Sequence, residues 1–129
     1  MTWQTARVKE DRDALAPDGS EIRLLVGLAR GGMAHCTLPP GQVTTAVRHR
    51  SVEEVWFCTA GRGQVWRKSA DAEETVDVEP GVALSIPLGT SFQFRATGPE
   101  SLEIVITTMP PWPGPDEAVA VDGLWEPTR

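Results

Sequence analysis

The sequence predicts an all-β fold, and three observations carry that expectation. Apolar residues recur at every second position in one short segment after another, the spacing of a strand with one buried face. Turn signals built on Gly and Pro separate these segments at the intervals of a β-sandwich or barrel. No segment longer than a turn has helical periodicity.

Residues 1–19 are polar apart from Trp3, Val8 and Leu15, and read as a loose arm or an edge strand ending in the turn Ala16-Pro17-Asp18-Gly19. Ile22, Leu24, Val26 and Leu28 alternate with Arg23, Leu25, Gly27 and Ala29 as a strand, which Gly31-Gly32 is expected to break. Met33 to Leu38 is a further strand and carries His35. Pro39-Pro40-Gly41 forces a turn, after which Val43, Thr44, Thr45 and Val47 favour an extended run that presents His49. The next strand, 54–59, puts Glu54, Trp56 and Cys58 on one face and Val55, Phe57 and Thr59 on the other. Both faces beyond Glu54 are mostly apolar, so this strand is expected to be covered on both sides.

Gly61-Arg62-Gly63 turns the chain into a strand at 64–68, and the charged stretch 69–74 reads as a solvated hairpin loop. Residues 75–78 return, Glu79-Pro80-Gly81 turns, and Val82, Leu84 and Ile86 alternate with Ala83 and Ser85. Phe92, Phe94 and Ala96 then oppose Gln93 and Arg95, and Leu102, Ile104 and Ile106 mark the last clear strand. The tail, 109–129, holds Trp112, Trp125 and five prolines, which exclude a sheet strand through 109–115. Its tryptophans must cover something: the sheet, a second subunit, or the mouth of the fold as a lid.

At 129 residues and 14.0 kDa the chain reads as a single domain, with a core of about 20–108 between the arm 1–19 and the tail 109–129. A formal charge of −6 argues against nucleic acid or an anionic membrane as partner, because both need a basic face. A small-molecule ligand or a second copy of the chain fits better. No apolar run has the length of a signal peptide or a membrane span, so a cytoplasmic location is expected. Cys36 and Cys58 are too few for a disulfide framework and are expected as buried thiols.

The stretch Gly41 to Gly61 resembles the first motif of the cupin superfamily, G-x5-H-x-H-x3,4-E-x6-G, on Gly41, Val47, His49, Glu54 and Gly61. The second motif, G-x5-P-x-G-x2-H-x3-N, falls on Gly81, Pro87, Gly89, Phe92 and Ala96. The resemblance implies a cupin jelly-roll β-barrel, a homodimer, and a site inside the barrel where positions 47, 49, 54 and 92 converge. A typical member holds a metal there with three histidines and one glutamate. Here Val47, Phe92 and Ala96 replace two histidines and the asparagine, leaving His49 and Glu54.

His49 and Glu54 are therefore the candidate catalytic residues, with Val47, Trp56, Phe92 and Phe94 as the expected lining of a shared pocket. Three readings stay open. The pair can form a charge-assisted dyad that favours imidazolium and moves protons in an isomerase, epimerase, lyase or cyclase, as the metal-free sugar-nucleotide epimerases of the resembling family do. It can hold a divalent metal weakly, with His35 as the best third ligand if its strand lies beside the one ending at His49. Or the two groups simply satisfy each other in the interior. A non-catalytic metabolite-binding or sensing module is the alternative to an enzyme. Arg48, Arg50 and Arg95 have the opposite parity and are expected outside.

Overall fold

The computed structural model describes residues 2–129 as eleven strands and one 3₁₀ turn. In chain order the strands are β1 (Ala14–Leu15), β2 (Glu21–Leu28), β3 (Gly31–Leu38), β4 (Val47–His49), β5 (Glu53–Ala60), β6 (Gly63–Lys68), β7 (Glu73–Val78), β8 (Ala83–Ile86), β9 (Ser91–Ala96), β10 (Leu102–Met109) and β11 (Ala118–Ala120). The 3₁₀ turn, Pro115–Glu117, precedes β11. All pairings are antiparallel.

The strands form two sheets, ordered β1-β2-β3-β10-β5-β8 and β11-β4-β9-β6-β7. Consecutive strands cross repeatedly from one sheet to the other, the winding of a jelly roll. The expected barrel is not closed: among the described residues no ladder joins the two sheets, so the molecule is a two-layer sandwich. Its interior is the meeting of the two inner faces. Cys36, Trp56, Cys58, Ile86, Ile104 and Ile106 come from the first sheet, and Val47, Val65, Phe92, Phe94 and Ala96 from the second. Period-two alternation positions nearly all of them, as the buried-exposed pattern along β5 and β10 shows.

Several local expectations are corrected. Gly31 and Gly32 do not break the strand before them but open β3, and the reversal falls on Ala29-Arg30. The extended run before His49 is short: only residues 47–49 form a strand, and Val43 makes a single bridge to Arg95. β3 pairs with β2 and β10, in the opposite sheet from β4, so it never lies beside the strand that ends at His49. Finally, β5 is covered on one side only. Val55 and Phe57, each 47% exposed, face outward, and Met33 lies on the same face of the sheet across Thr107 of β10.

The arm runs along the free edge of β2. The Gln4 side chain accepts from the Gly27 N–H and donates to the Gly27 carbonyl, imitating one step of a strand, and β1 then pairs with Ile22 and Glu21. The turn after β5 shows why a glycine stands there. Gly61 has φ +76°, and a Cβ on it would lie 2.2 Å from the Ser101 carbonyl oxygen.

The tail is part of the second sheet. β11 pairs with β4 in the register Ala118↔His49, Val119↔Arg48, Ala120↔Val47. Glu117 accepts from the Ser51 and Val52 amides and the Ser51 hydroxyl, which ties the tail to the loop after His49. Gln93 has outward parity yet is 1% exposed, because the chain end lies over it. Its Oε1 accepts from the Leu124 and Trp125 amides, and its Nε2 donates to the Thr44 and Trp125 carbonyls. Trp125 in turn lies 4.3 Å below the Arg95 guanidinium.

Candidate functional site

His49 ends β4, and Glu54 is the second residue of β5. The intervening loop, residues 50–52, carries the chain from one sheet to the other, so the two side chains enter the interior from opposite layers. Both are 6% exposed. His49 Nδ1 stands 3.9 Å from Glu54 Oε2, too far for a hydrogen bond, and has no hydrogen-bond partner among the described residues. Glu54 Oε1 accepts from the Trp56 indole N–H at 2.8 Å.

Aromatic rings enclose the pair. Phe92 meets His49 edge-on at 5.2 Å and Trp56 at 5.5 Å, and Phe94 meets Trp56 at 5.2 Å. Above them Trp112, from the tail, packs edge-on against the imidazole at 5.0 Å. Val47 lies opposite Phe92 in the β4-β9 ladder. The structure thus brings His49, Glu54, Val47, Trp56, Phe92 and Phe94 into one cluster, filled by rings. Of two surface hollows, of about 510 and 280 Å³, neither is lined by any of these six residues.

Burial sets the charge state of the pair. Desolvation pushes the Glu54 carboxyl up to about 7, against the Trp56 hydrogen bond that lowers it, and the nearby Asp18 carboxyl adds to the rise. Desolvation also holds His49 below the ordinary imidazole value, with Glu117 pulling the other way. The expectation that the dyad favours imidazolium is therefore corrected. Near neutral pH the imidazole is uncharged, and it faces a carboxyl that titrates in the same range.

His35 is not part of this cluster. It lies on the outer face of the first sheet, between Arg23 on β2 and Val105 on β10, with Nε2 3.4 Å from Glu103 Oε1. Its role as third metal ligand is overturned by the strand pairing described above: β3 is beside β10, not β4. Among the described residues no group of three or more His, Cys, Asp or Glu is placed to hold a metal ion. The positions that would complete a ligand set carry the hydrocarbon side chains of Val47 and Phe92. Two donors with apolar neighbours do not fit a tightly held resident metal.

Two features of the site lie beyond what the sequence reveals. Asp18, in the turn Pro17-Asp18-Gly19, is buried, accepts from the Ser20 amide and hydroxyl, and adds its charge to the field at Glu54. An Asp two residues before a Ser is an Asx-turn signal, which says nothing of burial. Trp112, for which lid and outer packing are both open in the sequence, lies on His49. Cys36 and Cys58 are free and buried, as expected, and desolvation raises both thiols. Arg48 and Arg50 are exposed, and Arg95 is half-buried on the outer face under the chain end.

The Cupin domain family matches residues 34–108, more than half of the chain and the stretch that contains His49, Glu54 and Phe92. The chain belongs to the cupin family. Solved structures agree on the fold. BH2720 from Bacillus halodurans superposes with a TM-score of 0.66 at 21% identity, over 79% of this cupin and 76% of that chain. KdgF from Halomonas sp. gives 0.65 at 19% identity, over 78% and 88%. The capsular polysaccharide assembling protein CapF from Staphylococcus aureus gives 0.69 at 14% identity, over 81% of this cupin but only 32% of CapF. CapF has also been solved with the inhibitor 3-isopropenyl-tropolone. No curated protein matches this cupin in sequence. No helix among the described residues is long and apolar enough to cross a membrane.

Proposed function

We propose that this cupin binds a small polar metabolite between His49 and Glu54 and moves protons on it, as an isomerase, epimerase, lyase or cyclase. One observation carries the reading: a partnerless imidazole nitrogen faces, at 3.9 Å, a carboxyl raised to about 7. That gap is too wide for the groups to satisfy each other. A small hydroxyl group displaced from the line between them can bond to both, accepting from the protonated Glu54 carboxyl and donating to His49 Nδ1.

Acid-base catalysis needs a proton donor and an acceptor that both exchange near the working pH. Glu54, protonated on Oε2 while Oε1 accepts from Trp56, is the donor. His49, kept neutral by burial, is the acceptor through Nδ1. Buried aromatic walls raise the strength of both interactions by excluding water. The donor set speaks against a tightly held metal, so the chemistry is assigned to these two side chains.

A non-catalytic binding module is the second reading, favoured by the ring-filled interior, which leaves neither surface hollow lined by the pair. A metabolite panel screened by calorimetry, on protein dialysed against chelator, separates the two. An enzyme gives turnover that falls by about a hundredfold or more in both Glu54→Gln and His49→Gln, with a bell-shaped pH profile. A binder gives heat and no turnover. Binding that both substitutions leave unchanged would remove the site. Protein purified without added metal and dialysed against buffer free of chelator is expected to contain well under one equivalent of transition metal by elemental analysis.

The outward-facing Val55, Phe57 and Met33 also support a homodimer, because a second copy would cover the uncovered side of β5. Sedimentation velocity at micromolar concentration checks it: a monomer throughout would refute it. A cytoplasmic setting fits the two free thiols.

A further inference from the structure

We infer that Trp112 is a movable cover over the His49–Glu54 pair, carried on a strap that swings aside to admit the ligand. The inference rests on the binding site proposed above, and concerns how that site is reached.

The strap runs from Pro110 to Pro113. Pro110, Pro111 and Pro113 have no amide hydrogen, and among the described residues the backbone of 110–113 neither donates nor accepts a hydrogen bond. The Trp112 indole N–H has no acceptor among them either; the ring is held through its edge-on contact with His49, and is 36% exposed. Both ends of the strap, by contrast, are fastened. Met109 closes the β10 ladder opposite Glu53, and beyond the strap Glu117 binds the Ser51 loop while β11 pairs with β4.

Lifting the strap therefore breaks ring contacts and no hydrogen bonds. Opening through any flanking strand breaks ladder bonds, and local opening follows the least costly route. Space is available on both flanks. One hollow, of about 510 Å³, is lined by Arg30, Ser51, Glu53, Leu88, Met109 and Pro110 among others, and the other lies against Arg50, Pro113, Gly114 and Glu117. The strap separates them. Gly114, at its far end, has φ +151° with open space beside its Cα, and its carbonyl accepts from the Glu117 amide, so the strap can turn on the Pro113 side while the 3₁₀ turn holds the other. The stiff prolines make the segment pivot as a unit instead of crumpling.

With the cover down, His49 is enclosed by Trp112 and Phe92. With it lifted, the imidazole loses that cover, and the larger hollow lies at the Pro110 end of the strap. That hollow offers apolar carbon from Leu88, Met109 and Pro110 with one cation, Arg30, at the rim.

The test uses the full chain and the chemistry of its two histidines. Diethyl pyrocarbonate modifies accessible neutral imidazole, and peptide mass spectrometry resolves His49 from His35. Trp112→Ala is expected to speed modification of His49 by about tenfold or more while leaving His35 unchanged, and Trp112→Phe, which keeps a ring, to stay near the parent rate. An unchanged His49 rate in Trp112→Ala, or equal acceleration of both histidines, would overturn the inference. Amide exchange on the unaltered protein decides it even if Trp112→Ala fails to fold. The Trp112 amide should exchange within about tenfold of the unstructured rate while the Arg48 amide, in the β4–β11 ladder, is slowed by about a hundredfold or more. Equal protection of the two would also refute it. Ligand binding that Glu54→Gln and His49→Gln abolish, with a His49 rate that Trp112→Ala leaves unchanged, would remove the cover and leave the site standing; a faster His49 in Trp112→Ala with no ligand found in the metabolite panel would do the reverse.

Discussion

Ending the chain at Thr108 lowers the melting temperature by at least about 15 °C, or prevents folding altogether. The lost segment supplies the edge strand that pairs with β4, so His49 and Val47 lose a neighbour on the backbone side. It removes Glu117, whose carboxylate receives the Ser51 and Val52 amides and the Ser51 hydroxyl. Those bonds hold its pKa low despite the burial that works against them. It also uncovers Gln93, three of whose four hydrogen bonds go to Leu124 and Trp125 and one to Thr44. Each such bond is worth about 1 kcal/mol net, and burial of an indole adds roughly 2 kcal/mol. The sum is on the order of 5 kcal/mol or more, and a kilocalorie moves the midpoint of a domain this size by about 3–5 °C. Circular dichroism melts of the two forms check it. A truncated protein melting within about 5 °C of the full chain would show that the tail only rests on the sheet.

The value of the tail could not be read from its residues. Five prolines and two tryptophans exclude a strand locally, and they do so as far as Pro115. The short Ala118-Val119-Ala120 strand has no alternation to betray it, because three residues hold barely one period. Parity places Gln93 correctly outside, but parity describes a sheet's two faces and not what lies over them. The same limit explains β5. Its two apolar faces suggest cover on both sides, and in one chain only the Trp56 side has it.

What the sequence revealed best was whatever repeats or turns. The strands β2, β8, β9 and β10 announce themselves by alternation, and the glycines and prolines of both motifs mark real turns. Convergence of His49, Glu54, Trp56 and Phe92 followed from parity combined with the family resemblance. Strand order is different, since it depends on contacts between distant segments. His35 failed as a ligand for that reason: Pro39-Pro40-Gly41 looked like a hairpin turn, yet it is a crossing between sheets. Burial of Asp18 beside Glu54, which bears on the acid-base behaviour of the site, is likewise a long-range outcome.

Replacing Glu54 by Gln stabilises the protein at pH 8 while removing its proton donor. A carboxyl near 4.5 in the unfolded chain and raised to about 7 by burial binds a proton more tightly when folded. Between those values the folded state holds the proton and the unfolded state does not, so this group's contribution is fully present below about pH 4.5, falls as pH rises, and is gone above about 7. The loss is on the order of 3 kcal/mol. A glutamine side chain in its place is neutral at every pH and retains an oxygen for the Trp56 N–H, so the Glu54→Gln protein escapes that loss. Denaturant unfolding of both proteins from pH 4 to 8 should give matching stabilities at the acid end and a gap of roughly 2–3 kcal/mol in favour of Glu54→Gln at pH 8. Taking the difference cancels the opposite trend from His49, whose lowered pKa gives stability present above 6.5 and lost on acidification, and the residual decline from Asp18, which burial also raises. A gap that does not change with pH would mean that Glu54 titrates at its ordinary value and is solvated. It would then lack the donor role given to it. A carboxyl that weakens the fold wherever it ionises is what a site selected for proton transfer retains and a purely structural core discards.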